Sequence, residues 1–173
     1  MYEPREDSFL ILKHIKNYTN QTYKVLDVGT GTGILAEEAS KYAKQVTAID
    51  IDKKSISKLM KNNTNNKIKF IVSDLFSNIK EKFDLIIFNP PYLPSKKIKD
   101  KRIDGGEQGT EIIEKFLKQA KIYLKKNGKT LLICSSLNNN VENLFDKYNY
   151  RYKKIDEKKM FFEKLFLYKL EPK

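Results

Sequence analysis

The sequence has 173 residues, which is enough for one domain with a sizeable core and leaves little room for a second. Hydrophobic residues make up 40% of it, a globular composition that excludes a mainly disordered chain. The net charge of +12 favours an acidic partner such as a nucleic acid or a ribonucleoprotein; a lysine-rich solvated surface is the alternative. The only arginines are Arg5, Arg102 and Arg151, which disfavours dedicated reading of duplex bases.

Neither a disulfide nor a zinc site is predicted, because there is one cysteine, Cys134, and one histidine, His14. Cys134 lies in an apolar run and is expected to be a buried strand thiol. The first residues are acidic and lack an apolar stretch, which predicts no signal peptide. No apolar run approaches the roughly 20 residues that a membrane span needs. We therefore expect a cytoplasmic protein that binds neither metal nor membrane.

Apolar runs and helical segments alternate along the first half of the chain. A helix is predicted for SFLILKHIKNY, with Asp7 or Ser8 as its N-cap. Strands are predicted for KVLDVG, QVTAID, KIKFIVSDLF and FDLIIFN. Helices are predicted for ILAEEASKYA and KKSISKLMKNN, which lie between the first three of these strands.

The second half begins with a polar connection from Pro94 to about Gly109, a length typical of lids and recognition loops. TEIIEKFLKQAKIYLKKNG then predicts one long helix, with Gly128 as its C′ residue. A strand is predicted for KTLLICSS and a helix for NNNVENLFDKYN. Two β-rich runs, YRYKKID and MFFEKLFLYKL, follow with no helix between them.

This order predicts an α/β fold in a single domain over residues 1–173. Seven strands form a mostly parallel sheet that is covered by helices on both faces. The last two strands lack a crossover helix, so they should form a C-terminal antiparallel hairpin.

A glycine-rich turn, VLDVGTGTG, lies where the first strand meets the next helix. Gly29, Gly31 and Gly33 allow a sharp turn and a close approach of the backbone to a ligand. The dinucleotide fingerprint needs its third glycine one position later. Asp27 lies where a pyrophosphate would bind, which favours a cationic ligand such as the aminoacyl part of a sulfonium cofactor.

Further aspartates end the next two strands. Asp50 follows Gly29 by about 20 residues, the spacing at which an acidic residue meets ribose hydroxyls. Asp52 is the rival for that role, and we prefer Asp50 because it ends the strand. Asp74 could accept from an adenine amino group, with Leu75 supporting the ring. Because the carboxyl ends of parallel strands share one crevice, these residues predict a nucleoside-type cofactor.

The following strand ends in Asn-Pro-Pro-Tyr, residues 89–92. Prolines present carbonyls without an N–H, so the Asn89 side-chain oxygen and the Pro90 carbonyl could accept both hydrogens of a planar NH₂ group. Tyr92 offers a π-face that could cover a base or an amide. The four residues indicate a planar NH₂ substrate, which leaves bases and amides equally open.

In order and spacing, VLDVGTGTG, VTAID, SDLF and NPPY resemble the class I S-adenosylmethionine-dependent methyltransferases with an NPPY motif. The closer resemblance is to the HemK-like protein-glutamine methyltransferases. YEPREDSFLIL is similar to the Y-x-P-x-E-D-[ST] signature of their archaeal and eukaryotic branch, and DGGEQG resembles a glycine-bearing segment of that family. The resemblance implies a Rossmann-like fold and methylation of the glutamine in the GGQ loop of class I translation release factors.

The resemblance also implies roles for individual residues, including a contribution of the N-terminal segment 1–22 to the cofactor site. The S-adenosylmethionine set comprises Ser8, Asp27, Gly29, Gly31, Asp50, Asp74, Leu75 and Asn89. The substrate set comprises Asn89, Pro90, Pro91 and Tyr92, of which Asn89, Pro90 and Tyr92 are the catalytic candidates.

Two other functions stay open at this point. An amino-methyltransferase of RNA or DNA, acting on adenine N6 or guanine N2, would fit NPPY and the positive charge, although no target-recognition domain follows the motif. A non-catalytic cofactor-binding subunit is the second alternative. The family branch also pairs with a small zinc-binding activator subunit, for which KIKFIVS could supply an exposed edge strand.

Overall fold

A computed structural model describes residues 4–95 and 103–173. In chain order its elements are α1 (Glu6–Tyr18), β1 (Lys24–Val28), α2 (Ile34–Ser40), β2 (Gln45–Asp50), α3 (Lys53–Asn62), β3 (Ile68–Val72), β4 (Phe83–Phe88), β5 (Leu93–Pro94), β6 (Asp104–Gly106), α4 (Glu111–Ala120), β7 (Leu124–Ser135), α5 (Val141–Lys147), β8 (Tyr150–Lys159) and β9 (Lys164–Pro172). A 3-10 turn, Lys121–Tyr123, joins α4 to β7.

The main sheet has seven strands in the order β3-β2-β1-β4-β7-β9-β8. Strands β1, β2, β3, β4 and β7 pair in parallel, and β9 is antiparallel to both β7 and β8. The predicted mostly parallel sheet with an antiparallel terminal hairpin is confirmed. Because β9 alone is reversed among these seven strands, the other six end at one side of the sheet, which we call the carboxyl edge.

Alternate residues of the central strands face two hydrophobic clusters. Val25, Leu85 and Ile87 belong to the cluster that includes residues of α1 and α2. Leu26 and Ile86 belong to the cluster formed with α4 and α5. Burial on both faces explains why these strands are continuous apolar runs without alternation.

The predicted helix through residue 128 is wrong in its second half. Helix α4 ends at Ala120, and β7 begins at Leu124, which pairs with Phe83 of β4. The apolar periodicity continues past the helix end, but pairing with β4 overrides it. Gly128 is no helix cap: it lies inside β7, where a Cβ atom would come within 3.0 Å of the Phe83 carbonyl oxygen.

The N-cap prediction for α1 is also wrong. The N-cap residue is Arg5, and Asp7 and Ser8 lie buried in the first helical turn. The Asp7 carboxylate accepts a hydrogen bond from the Ser8 amide at 2.6 Å, at a helix end where negative charge is favourable. Because the helix begins at Glu6, Asp7 and Ser8 are helical residues, and their side chains contact Tyr92 and Asn89 at the carboxyl edge.

Helix α1 contacts β8, the last strand in the order of the main sheet, through a pair of side chains that the sequence did not indicate. His14 Nε2 and Asp156 Oδ2 of β8 are 2.8 Å apart. The hydrogen bond from His14 lowers the pKa of Asp156. This pair joins residues that are distant in sequence and fixes the helix that brings Asp7 and Ser8 to the carboxyl edge.

Candidate active site

The glycine turn after β1 is held by the neighbouring strand β2. The Thr30 amide donates to the Ile49 carbonyl at 2.8 Å, and the Gly31 amide donates to Asp50 Oδ2 at 2.9 Å. Gly33 has a φ of 84° and approaches Leu59, whose side chain a Cβ would meet at 3.1 Å. The turn therefore needs glycine at this position for both its conformation and its packing.

Asp27 is a fully buried carboxylate at the end of β1. Its Oδ2 accepts from the Thr30 hydroxyl at 2.6 Å, and its Oδ1 has no hydrogen-bond partner within the described residues. Burial raises the pKa of Asp27 to about 7, the Thr30 hydrogen bond opposes this rise, and the nearby Asp50 carboxylate adds to it. An unpartnered buried carboxylate oxygen of this kind suits a cationic ligand group.

The two candidate ribose aspartates have different surroundings. Asp52 is the N-cap of α3 and accepts from the Lys54 and Ser55 amides. Asp50 lies at the strand end and binds the Gly31 amide of the glycine turn. Asp50 Oδ1 also accepts from the Asp52 amide at 2.9 Å, so both aspartates bind main-chain amides, and the preference for Asp50 stays a prediction that rests on its place at the strand end.

Asp74 and Leu75 follow β3 at the same edge. Asp74 is exposed, and its amide donates to Ser77 Oγ at 3.2 Å. Leu75 has a φ of 47°, a left-handed conformation that is uncommon for a branched side chain. Its side chain packs on the α4–α5 cluster. Backbone strain of this kind occurs preferentially at binding sites, and no sequence pattern predicted it at Leu75.

Asn89 comes directly after β4 and faces the first turn of α1. Its Nδ2 lies 3.4 Å from Ser8 Oγ, which brings together two residues of the predicted site. Its Oδ1 is buried and has no hydrogen-bond partner in the described part of the chain. An orphaned acceptor at this point can receive an N–H from a substrate.

The rest of the motif is held by Asp7 and Asn138, neither of which was among the predicted site residues. The Tyr92 hydroxyl donates to Asp7 Oδ2 at 3.4 Å. The Tyr92 carbonyl accepts from Asn138 Nδ2 at 2.7 Å. Asn138 follows β7 in an asparagine-rich stretch, where no sequence pattern marked it out from its neighbours. Pro90 is buried, and Pro91 and Tyr92 are half-buried.

The DGGEQG segment packs against the backbone of the motif. Leu93 of β5 pairs with Asp104 of β6, and a Cβ at Gly105 would collide with the Pro91 carbonyl. Gly109 has a φ of 72° and lies against the Tyr92 carbonyl. These glycines let the segment lie directly on residues 91–92. The middle of the Pro94–Gly109 connection, like Tyr2 and Glu3 of the N-terminal signature, lies outside the described residues.

The carboxyl edge thus presents the acidic residues Asp27 and Asp50 beside the Asn89 amide. Over residues 4–95 and 103–173, no group of three or more His, Cys, Asp or Glu side chains could hold a metal ion. Within the same ranges, no helix has both the length and the apolar character needed to cross a membrane.

The family model of the methyltransferase small domain matches residues 6–162. The chain belongs to this family. Its HemK-like relatives include a Methanocaldococcus jannaschii protein named a putative protein N5-glutamine methyltransferase, 40% identical over 156 residues, which are 83% of this chain and 77% of the relative. A release factor glutamine methyltransferase from Buchnera aphidicola is 30% identical over 85% of this chain and 59% of its own length. The methyltransferase chain therefore spans less than two thirds of this bacterial relative.

Solved structures share the fold. The Mtq2–Trm112 complex of E. cuniculi, described as responsible for methylation of the eRF1 translation termination factor, contains a chain that matches with a TM-score of 0.81. The match covers 99% of this methyltransferase and 98% of that chain at 24% identity. A ribosomal protein L11 methylase from Lactobacillus delbrueckii matches with a TM-score of 0.75, at 22% identity over 99% and 81% of the two chains. The Rossmann-like methyltransferase fold is thereby confirmed.

Proposed function

We propose that this methyltransferase transfers a methyl group to the side-chain amide nitrogen of the GGQ glutamine in a class I translation release factor. The observation that carries the proposal is Asn89 Oδ1, a buried acceptor without a partner in the described residues, at the end of the strand leading into NPPY. The names of the relatives, which include release factor glutamine methyltransferases, support an amide over a base as the substrate. A translation factor as substrate implies a reaction in the cytoplasm.

S-adenosylmethionine is the proposed cofactor, and when bound it supplies a methyl group activated by a sulfonium. The residues present fit such a group, because the unpartnered Asp27 oxygen can receive the cationic aminoacyl end. Gly29 and Gly31 would line that end and Asp50 the ribose, while Asp74 and Leu75 would face the adenine. Ser8 and Asn89, which lie 3.4 Å apart, would also contact the cofactor.

The role of the motif is to orient a poor nucleophile. Asn89 Oδ1 and the Pro90 carbonyl accept the two hydrogens of the amide NH₂, which raises electron density on the nitrogen and fixes its direction. Pro91 stiffens the turn, and the Tyr92 ring covers the amide. Positioning of this kind can supply about 7–11 kcal/mol in well-oriented systems. The surplus proton can leave to solvent, so the motif needs no general base.

A labelling experiment tests the proposal against its rivals. The protein is incubated with methyl-labelled cofactor and, separately, with release factor, tRNA, rRNA and DNA. We expect label on the release factor, which disappears when its GGQ glutamine is replaced. Label on nucleic acid alone would establish an amino-methyltransferase of bases and refute the glutamine proposal. Cofactor binding without label on any substrate would favour the non-catalytic subunit.

We also propose a small zinc-binding activator subunit that pairs with β3. Strand β3 is an edge of the main sheet, so its outer side is open to strand addition. The matching Mtq2 chain was solved in complex with Trm112, which supports an assembly of this kind. Co-expression with such a subunit should raise soluble yield and activity. Full activity of the protein purified alone would contradict the dependence.

A further inference from the structure

Two phenylalanines project into solvent at the turn between β8 and β9. Phe161 is 92% exposed and Phe162 is 86% exposed, the highest values among the large hydrophobic residues of the described chain. Their ring centroids are 4.5 Å apart and the rings meet edge to face. Single exposed hydrophobics need no explanation, but two adjacent aromatic rings form a patch of the kind found at interaction sites.

The turn itself does not require these residues. The Met160 amide donates to the Glu163 carbonyl at 2.8 Å, so residues 160–163 form a tight turn that we call the hairpin tip. Two-residue hairpin turns favour glycine or asparagine with positive φ, and neither Phe161 nor Phe162 has a positive φ. The rings therefore contribute neither to the turn nor to the core.

The hairpin tip lies at the same edge of the sheet as Asn89. Strand β8 runs in the direction of β4, so it ends at the carboxyl edge. The Ser136 amide donates to the Lys164 carbonyl at 2.8 Å, which fastens the start of β9 to the loop after β7. Asn138 in that loop donates to the Tyr92 carbonyl at 2.7 Å. Residues 135–138 thus connect the hairpin tip with the NPPY motif.

Positive charge borders the aromatic pair. Lys159 and Lys164 flank the hairpin tip and are exposed, with Lys158 next to them. The described residues provide no ion-pair partner for Lys158 or Lys159, and Lys164 is 3.9 Å from Glu157 in an exposed pair. Exposed pairs at this distance are weak, so the flanking charge is available to a partner. The surface suits a partner with an apolar pocket bordered by acidic side chains.

We propose that the hairpin tip is a docking surface for the protein substrate, binding an apolar, acid-bordered patch on the folded factor that carries the target glutamine. This inference rests on the proposed function and adds a second contact to it. A single glutamine side chain offers little binding energy, so a specific enzyme gains from contacts remote from the reacting atom. RNA fits less well, because rings packed edge to face leave no pair of parallel faces for a base, and the flanking cations are lysines.

The test compares a folded substrate with a short one. Phe161→Ala/Phe162→Ala is assayed on the full-length release factor and on a short peptide containing Gly-Gly-Gln. The kcat/KM for the full-length factor, divided by the kcat/KM for the peptide, should fall at least about tenfold, as when aromatic anchors are truncated at an interface. Ile122→Ala, which removes a residue 64% exposed on the turn before β7, is the control and should leave the ratio within about twofold.

A second variant separates docking from folding. Phe161→Ser/Phe162→Ser replaces two exposed rings by polar side chains in a turn that needs no positive φ, so it should melt within a few degrees of the wild type and still lose the preference for the full-length factor. A ratio that stays at the wild-type value in both variants would overturn the inference while leaving the proposed function intact.

A direct binding measurement distinguishes docking at the hairpin tip from the proposed methylation of the glutamine. The Kd of the release factor is measured for Asn89→Ala with and without the two phenylalanine substitutions, so no turnover is needed. An increase of at least about tenfold in Kd supports docking even if the wild type fails to methylate the factor, which would refute only the proposed function. Variants that lose affinity for RNA but not for the factor would overturn docking of a protein.

Discussion

The nitrogen of the Asn89 side-chain amide is hydrogen-bonded, whereas its oxygen has no partner in the described residues. Its Nδ2 lies 3.4 Å from Ser8 Oγ, so the Oδ1 atom is turned away from that hydroxyl and finds no partner within the described residues. Leaving a buried acceptor unsatisfied costs stability, which is expected where a ligand completes the hydrogen bond. The residue is therefore the natural orienting group for the substrate NH₂.

Replacement of Asn89 by Ala should lower kcat about 100-fold or more, because misorientation of a reacting group has effects of this size. The affinity for S-adenosylmethionine should stay within a few-fold, since Asp27 and Asp50 are intact. Single-turnover methylation and equilibrium cofactor binding measure the two effects separately. Asn66→Ala, an exposed asparagine before β3, is the matched control. Full turnover of Asn89→Ala would refute the orienting role.

Asp27 predicts an unusual dependence of stability on pH. Its pKa is raised in the folded state to about 7, above the value of about 3.9 of an unfolded chain. The stability that protonated Asp27 contributes is therefore fully present below about pH 4 and is progressively lost as the pH rises through about 7. A cationic ligand beside the carboxylate should oppose this loss by favouring the ionised form.

Asp27→Asn should consequently melt higher than the wild type at pH 8 without ligand, by about 5 °C or more, and this gain should shrink towards pH 4. The same variant should bind S-adenosylmethionine more weakly at pH 8. Thermal melting across pH and calorimetric titration measure the two effects. Asp52→Asn is the comparison with opposite sign, because hydrogen bonds from Ser55 and Lys54 lower the pKa of Asp52. A pH-independent gain for Asp27→Asn would contradict the burial of an ionisable group.

At the scale of elements, the 135–138 loop links β7, the motif and the hairpin. Asn138 is buried, donates through Nδ2 to the carbonyls of Tyr92 and Gly109 at 2.7 and 3.0 Å, and accepts from the Ser135 amide at 2.8 Å. One side chain thus satisfies three main-chain groups from separate segments. Its removal would take a hydrogen bond from each of these groups in a buried place.

Asn138→Ala should lower the free energy of unfolding by about 2 kcal/mol, the scale of the desolvation penalty for unsatisfied groups. It should also lower kcat more than it weakens cofactor binding, because the Tyr92 carbonyl loses its hydrogen bond from Asn138 while the bonds of Asp27 and Asp50 are unchanged. Chemical denaturation and steady-state kinetics measure the two losses. Asn139→Ala removes an exposed neighbour and should change neither. A loss of stability with unchanged kcat would mean that Asn138 does not position the motif.

The elements differ in how far the sequence could predict them. The strands were predictable because burial on both faces produces continuous apolar runs bounded by polar turns. The helix end near Ala120 was not, since pairing of Leu124 with Phe83 overrides a helical pattern. The site aspartates were predictable from their places at strand ends, a local signal. Asn138 was not, because its partner Tyr92 is 46 positions away along the chain.

At the scale of the whole molecule, positive charge lies at both ends of the strands, at the carboxyl edge and at the end opposite to it. Lys126 and Arg151 line a cavity of about 310 Å³ at the starts of β7 and β8, away from the carboxyl edge. Lys158 and Lys159 lie at the opposite end, beside the hairpin tip. A purely solvated lysine surface would make these positions equivalent for activity. An acidic partner at the carboxyl edge would make them unequal.

Lys159→Glu should therefore raise the KM for the release factor about fivefold at low salt, and the effect should fade as added salt shortens the screening length. Lys126→Glu changes the net charge of the protein equally but lies at the other end of the sheet, so its KM should stay within about twofold of the wild type. Steady-state methylation across a series of salt concentrations measures both. Equal effects of the two reversals would mean that net charge, and not the place of the lysines beside Phe161 and Phe162, attracts the substrate.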